Sequence, residues 1–130
     1  MPDDWTKISG MAKETLAPIL KVENTSEAAA WYQRLGFNVV FEHSTGPNWS
    51  RSEAMLTRGD LRLILSQGDD EIAPDATVCL MFPEVETLAT EFKVNVQKQF
   101  LRSQIDLRDP YGNRVKVVAV DKLIPRIGPN

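Results

Sequence analysis

Leu20-Lys21-Val22-Glu23-Asn24-Thr25-Ser26-Glu27-Ala28-Ala29-Ala30-Trp31-Tyr32-Gln33-Arg34-Leu35-Gly36-Phe37 reads as a strand end, a capped helix and a helix stop. Asn24 can accept a hydrogen bond from the first helical turn, and Glu27 follows three residues later, a capping-box-like pair. The Ala-rich run to Leu35 favours helix, with Ala28, Trp31, Tyr32 and Leu35 as its apolar stripe. Gly36 stands where a left-handed C-cap belongs. Upstream, Ala17 to Val22 reads as a strand. Downstream, Asn38 to Glu42 reads as another, followed by the polar loop Ser44-Thr45-Gly46-Pro47-Asn48. Glu53 to Thr57 and Leu61 to Ser66 then form a hairpin that turns at Arg58-Gly59-Asp60.

The pattern repeats. After a Gly/Asp/Pro linker from Gln67 to Asp75, Thr77 to Phe82 reads as a strand and Val85 to Val94 as a helix. Leu101 to Leu107 and Arg114 to Val120 are strands around the turn Asp109-Pro110-Tyr111-Gly112-Asn113. In that turn proline presets φ, glycine supplies positive φ, and the Asp and Asn side chains bond nearby backbone. A shift of sixty lays Leu20 on Leu80, Val22 on Phe82, Ala29 on Ala89 and Tyr32 on Phe92. The expected organisation is an N-terminal arm over 1–15, a body over 16–120 built of modules at about 16–66 and 76–120, and a tail over 121–130. Trp5 and Met11 give the arm residues that can pack on the body or on a partner chain.

Composition bounds the function. A chain of 130 residues fits one compact body with a core. A net charge of −3 gives no electrostatic footprint for nucleic acid or an anionic membrane. There is no run of about 18 apolar residues, and the acidic start Met1-Pro2-Asp3-Asp4-Trp5 is unlike a signal peptide. The single cysteine, Cys79, cannot form an internal disulfide, which fits a reducing cytoplasm. No phosphate-binding glycine loop, Gly-x-Ser-x-Gly or HExxH pattern is present.

The quoted stretch and the Asp109–Asn113 turn together resemble the vicinal oxygen chelate superfamily of glyoxalases, bleomycin-resistance proteins and ring-cleaving dioxygenases. Leu56-Thr57-Arg58-Gly59-Asp60-Leu61 resembles the hairpin of the bleomycin-resistance branch in particular. The resemblance covers about residues 16–120. It implies an α+β fold: two βαβββ modules forming a curved mixed sheet, helices on the outer face, in a homodimer. It also implies where enzymes of the family carry metal ligands. Those positions fall at Ala17, Ile64, Thr77 and Lys116, which do not make a divalent-metal site. The chain's one histidine, His43, reads as a surface residue after a strand, and no two-histidine site can form within one subunit. A site assembled across a dimer stays open.

Strand alternation sorts the remaining residues. Ile19, Lys21, Arg62, Ile64, Thr77, Cys79, Met81, Arg114 and Lys116 point to the concave side, with Val118. Leu20, Val22, Leu61, Leu63, Leu65, Val78, Leu80, Phe82, Val115 and Val117 point to the core. Trp49, in the loop, is a candidate lid or stacking residue, or an aromatic packed on a neighbouring subunit. Cys79 sits on what reads as a central strand without a base nearby, so a buried, inert thiol is expected. The expected function is a metal-free binder of bleomycin-resistance type that sequesters a drug or other organic ligand in a cleft at a dimer interface, with no cofactor. The alternatives are a divergent glyoxalase-, dioxygenase- or thiol-transferase-like enzyme, and a regulatory or interaction domain without a ligand. Known bleomycin binders resemble one another in an acidic groove. Here the inward charges are Lys21, Arg62, Arg114 and Lys116, which favours an anionic or neutral ligand unless these chains snorkel out or pair with Glu53 or Asp106.

Overall fold

The computed structural model describes residues 14–120. The expected arm, with Trp5 and Met11, lies outside the described residues apart from Glu14 and Thr15, and so does the tail. Among the described residues, eight strands and two helices run in the order β1 (Ile19–Lys21), α1 (Thr25–Gln33), β2 (Asn38–Thr45), β3 (Arg51–Arg58), β4 (Leu61–Gln67), β5 (Thr77–Met81), α2 (Val85–Phe92), β6 (Gln97–Gln99), β7 (Arg102–Arg108) and β8 (Arg114–Val120). A 3-10 turn, Pro47–Trp49, joins β2 to β3. This is βαβββ twice, an α+β fold of two mixed four-stranded sheets, ordered β1-β4-β3-β2 and β5-β8-β7-β6. In each sheet the first strand pairs in parallel with the last, and the other pairs are antiparallel.

Contacts divide the chain into two units. The first runs through Ala76 and takes in Asp109–Asn113; the second is Thr77–Arg108 with the chain from Arg114 onward. We call them module 1 and module 2. Thus the turn at the end of the β7–β8 hairpin belongs to the packing of module 1.

Helix α1 begins as its sequence dictates. The Asn24 side chain accepts from the Glu27 amide at 2.9 Å, which satisfies one of the orphan donors of the first turn. Thr25, Ala28, Ala29 and Tyr32 are its buried residues, followed by Leu35. This i, i+3, i+4, i+7 set passes over Trp31, which is half-buried and meets Tyr32 edge-on, with centroids 4.8 Å apart. Beneath the helix lie Leu20, Val22, Ala54, Leu56, Leu63 and Leu65, all buried. In module 2, Val85, Leu88 and Ala89 of α2 are buried, as are Leu80, Ile105, Leu107, Val115 and Val117 of its sheet.

Several boundaries differ from the sequence reading. β1 is three residues long because Pro18 has no amide to donate, yet its carbonyl still accepts from Ile64 N at 2.9 Å. β2 runs on to Thr45, with an irregularity between Val39 and Phe41. β6 has no apolar alternation and was not legible. Its exposed Gln97-Lys98-Gln99 forms a polar sheet edge, a composition that discourages edge-to-edge pairing.

Candidate functional site

In each module one sheet face carries the helix; the other, which we call the open face, carries no helix among the described residues. Register defines the open face of module 1. Ile19 pairs with Ile64, Ile64 with Met55, and Met55 with Phe41, giving an apolar row across four strands. The next row is Lys21, Ser66, Glu53 and His43. The bulge at Val40 returns Phe41 and His43 to this face, because one extra residue inverts the alternation. Ile64, Met55, Phe41, His43 and Lys21 are half-buried, and Ile19 is exposed. His43 is therefore part of a sheet face. Its ring lies 4.9 Å from that of Phe41, and its Nδ1 is buried without a hydrogen-bond partner.

Arg62 has a different role from a cleft cation. It is buried, and its Nη1 donates to the carbonyls of Gly59 at 2.9 Å and Leu61 at 3.0 Å. Its charge is directed at the turn of its own hairpin. Trp49 stands exposed in the 3-10 turn. Both it and Asn48 have left-handed backbones, with φ of 58° and 54°, a conformation costly for bulky residues.

The open face of module 2 is built from the rows Thr77–Arg114–Arg108, Cys79–Lys116–Asp106 and Met81–Val118–Gln104. Cys79 is exposed, not buried. The physical reason is topological: β5 is an edge strand of its sheet, and Cys79 faces away from α2. Met81 is also exposed and borders a shallow hollow of about 220 Å³ with Phe82, Pro83 and Val118. Lys116 Nζ lies 3.4 Å from Asp106 Oδ1. The same carboxylate accepts from Gln104 Nε2 at 2.9 Å and Gln97 Nε2 at 3.1 Å. The Gln104 hydrogen bond, with Lys116 and Gln97 behind it, holds the Asp106 carboxyl below its ordinary range.

The Asp109–Asn113 turn is an internal fastening. Asp109 is buried, and its carboxylate accepts four hydrogen bonds. Tyr32 Oη donates at 2.7 Å and Asn113 Nδ2 at 2.9 Å to Oδ2; the amides of Tyr111 and Asn113 donate to Oδ1 at 2.8 and 2.9 Å. All lone-pair sites of the carboxylate are thereby used. Asn113, fully buried, also donates to the Lys21 carbonyl and accepts from the Ala76 amide. Burial, then the bond to Asp109, pushes the Tyr32 phenol far above its ordinary value. On the same turn, the hydroxyl of half-buried Tyr111 donates to Glu27, and desolvation followed by this bond raises it too. The helix signature Trp31-Tyr32 and the Asp-Pro-Tyr-Gly-Asn turn thus meet in space through residues 77 apart in sequence.

The donor set does not suit a metal. Ala17 offers no ligand, Ile64 is hydrocarbon, Thr77 is a weak neutral donor, and Lys116 is already bonded to Asp106. Among the described residues no three His, Cys, Asp or Glu side chains converge. No helix among them is long and apolar enough to cross a membrane.

A repeated βαβββ unit whose open sheet faces lack the enzyme ligands defines a class of protein by fold and site. The chain belongs to the glyoxalase superfamily, whose family model matches residues 3–127. Solved structures agree in fold. A bleomycin resistance determinant encoded on transposon Tn5 is 24% identical, with a TM-score of 0.64 over 85% of this chain and 99% of that one. A bleomycin-binding protein, solved with bleomycin, is 24% identical, with a TM-score of 0.60 over 83% and 99%. A lactoylglutathione lyase from Agrobacterium tumefaciens is 18% identical, with a TM-score of 0.62 over 83% and 94%. No curated protein matches the chain.

Proposed function

We propose that this protein is a metal-independent small-molecule binder of bleomycin-resistance type, which sequesters an organic ligand in a cleft at a homodimer interface in the cytoplasm. The observation that carries the reading is the open face of module 1. Its apolar row Ile19–Ile64–Met55–Phe41 stands beside the polar row Lys21–Ser66–Glu53–His43. Apolar area with a few polar groups suits a flat or amphipathic ligand, and two of the relatives in fold are bleomycin-resistance and bleomycin-binding proteins. On the open face of module 2, Thr77, Cys79, Met81, Arg114 and Lys116 are further candidate ligand residues in this reading, and in module 1 Trp49 acts as a lid or stacking residue.

The test is calorimetric titration with bleomycin, metal-free and copper-loaded, and with an uncharged naphthyl dye, beside metal analysis and sedimentation. Saturable binding of either probe, near one per subunit in a metal-free dimer, supports sequestration. Stoichiometric metal in the purified protein moves it to the enzymes of the superfamily. No heat with any probe overturns the reading.

A further inference from the structure

Among the described residues one buried side-chain polar atom lacks a hydrogen-bond partner, Nδ1 of His43. The residue stands on β2, on the open face of module 1, with its ring 4.9 Å from that of Phe41 and tilted by 52°. Its other ring nitrogen, Nε2, has no partner among the described residues either and is not buried. A buried N–H without an acceptor is costly, and orphaned donors are rarer than under-satisfied acceptors. The neutral form with its proton on Nε2 leaves only a lone pair unpartnered at Nδ1. The imidazole therefore turns a donor, Nε2–H, away from the sheet.

Glu53 on β3 is the direct cross-strand partner of His43. It is exposed, and its carboxylate has no hydrogen bond or ion pair among the described residues. Such neighbours hold their Cβ atoms roughly 4.5–5.5 Å apart on one face. The sheet thus fixes a free donor beside a free acceptor, and the two are not bonded to each other. In the next row lie Phe41 and Met55, also cross-strand partners, and then Ile64, all half-buried. A donor and an acceptor at the border of an apolar shelf match a flat body that carries a carbonyl and an N–H side by side, as a lactam or cyclic imide does. The N–H to carboxylate bond is charge-assisted, and the ring has Phe41 to lie against.

We propose that the His43–Glu53 pair recognises the amide edge of a flat, lactam-type ligand, with His43 donating to its carbonyl and Glu53 accepting from its N–H, while the ring covers Phe41, Met55 and Ile64. The proposal rests on the small-molecule reading above and narrows it to a chemical class.

The probes are carbostyril, a fused aromatic lactam, and N-methylcarbostyril, which keeps the ring and the carbonyl and loses the N–H. The uncharged naphthyl dye, which lacks the amide edge, is the control. The full-length protein is expected to bind carbostyril about ten-fold more tightly than its N-methyl derivative, because methylation leaves Glu53 covered without a donor. Glu53→Ala should bring the two lactams to within about two-fold of each other. His43→Phe should weaken both about ten-fold, since both carry the carbonyl. Both variants should keep the naphthyl dye within about two-fold of wild type. His43→Phe should also melt at or above the wild-type temperature, since it puts hydrocarbon where a buried nitrogen has no partner. Equal affinity of the wild type for the two lactams, or a preference that survives Glu53→Ala, overturns the proposal, and binding of the naphthyl dye then leaves the binder intact. A large fall in melting temperature in His43→Phe assigns the imidazole to structure and also overturns the proposal. Failure of every probe removes the binder and the amide site together.

Discussion

Shifted by sixty residues, Tyr32 falls on Phe92 and Thr25 on Val85. At both places module 1 holds a buried hydroxyl where module 2 holds hydrocarbon. Thr25 Oγ1 lies 2.9 Å from Ser52 Oγ, which donates to Gln67 at 3.0 Å, and Tyr32 donates to Asp109. Module 2 places its polar chemistry on the open face instead, around Asp106 and the arginines. The same βαβββ plan therefore serves two purposes. Polar groups inside module 1 fix geometry, because a buried network is stable only when every member is satisfied. Polar groups outside module 2 cost little to keep because solvent satisfies what the protein does not.

The sharpest way to break the comparison uses two carboxylates three residues apart. Asp109 belongs to the interior network and Asp106 to the exposed one. Asp109→Ala leaves Tyr32 Oη, Asn113 Nδ2 and two amides without their acceptor. Each buried unsatisfied group costs about 1–3 kcal/mol and some relax toward water, so the loss should be about 3–5 kcal/mol. Asp106→Ala, at a side chain 41% exposed, should cost less than about 1 kcal/mol. Urea denaturation of the two variants measures both. Similar losses would show that the partition into interior and exterior chemistry is wrong.

A pH series sharpens the same point. The phenol of Tyr32 is raised in the folded state by burial and by Asp109, so it keeps its proton where the unfolded chain gives one up. Stability is fully present below the ordinary tyrosine value of about 10 and is lost as pH rises above it. The expected slope is about 1.4 kcal/mol per pH unit for this one group. Tyr111, only half-buried and raised in the same direction, adds less because solvent screens it. Tyr32→Phe should be less stable at neutral pH by about 1–3 kcal/mol, through loss of the hydrogen bond to a buried carboxylate. It should also show a shallower alkaline slope. An unchanged slope would place the linkage elsewhere.

Legibility followed the range of the signal. The Asn24 cap, the stop at Gly36 and the turn at Asp109–Asn113 are local chemistry, and their residues occupy those roles. Sheet alternation sorted most of the core because Leu20, Val22, Leu63, Leu65, Leu80, Val115 and Val117 share the helix-facing parity of their strands and are all buried. The remainder depended on information that no window contains. The bulge at Val40 hid Phe41 and His43 from the open face, since parity cannot be counted across an unseen insertion. The exposure of Cys79 followed from strand order, which places β5 at an edge. The bond from Tyr32 to Asp109 joins two recognisable motifs that nothing local connects.

The smallest effects lie at the two helix ends, where the modules stop their helices with different residues. Helix α1 is followed by Gly36 at φ 94°, and a methyl group there would collide with the Arg58 guanidinium that donates to the Leu35 carbonyl at 3.1 Å. Helix α2 is closed by Lys93 at φ 57°, a left-handed lysine. A side chain in that conformation costs roughly 1–2 kcal/mol, which glycine avoids at some expense in unfolded-chain entropy. Gly36→Ala should therefore lose about 1–2 kcal/mol, with the Arg58 contact displaced in addition. Lys93→Gly should gain about 0.5–1 kcal/mol. Paired thermal melts of these variants read the two signs directly. If Lys93→Gly destabilises instead, the lysine side chain holds module 2 through a contact worth more than its backbone strain. The second helix would then be stopped by tertiary packing, where the first is stopped by its own sequence.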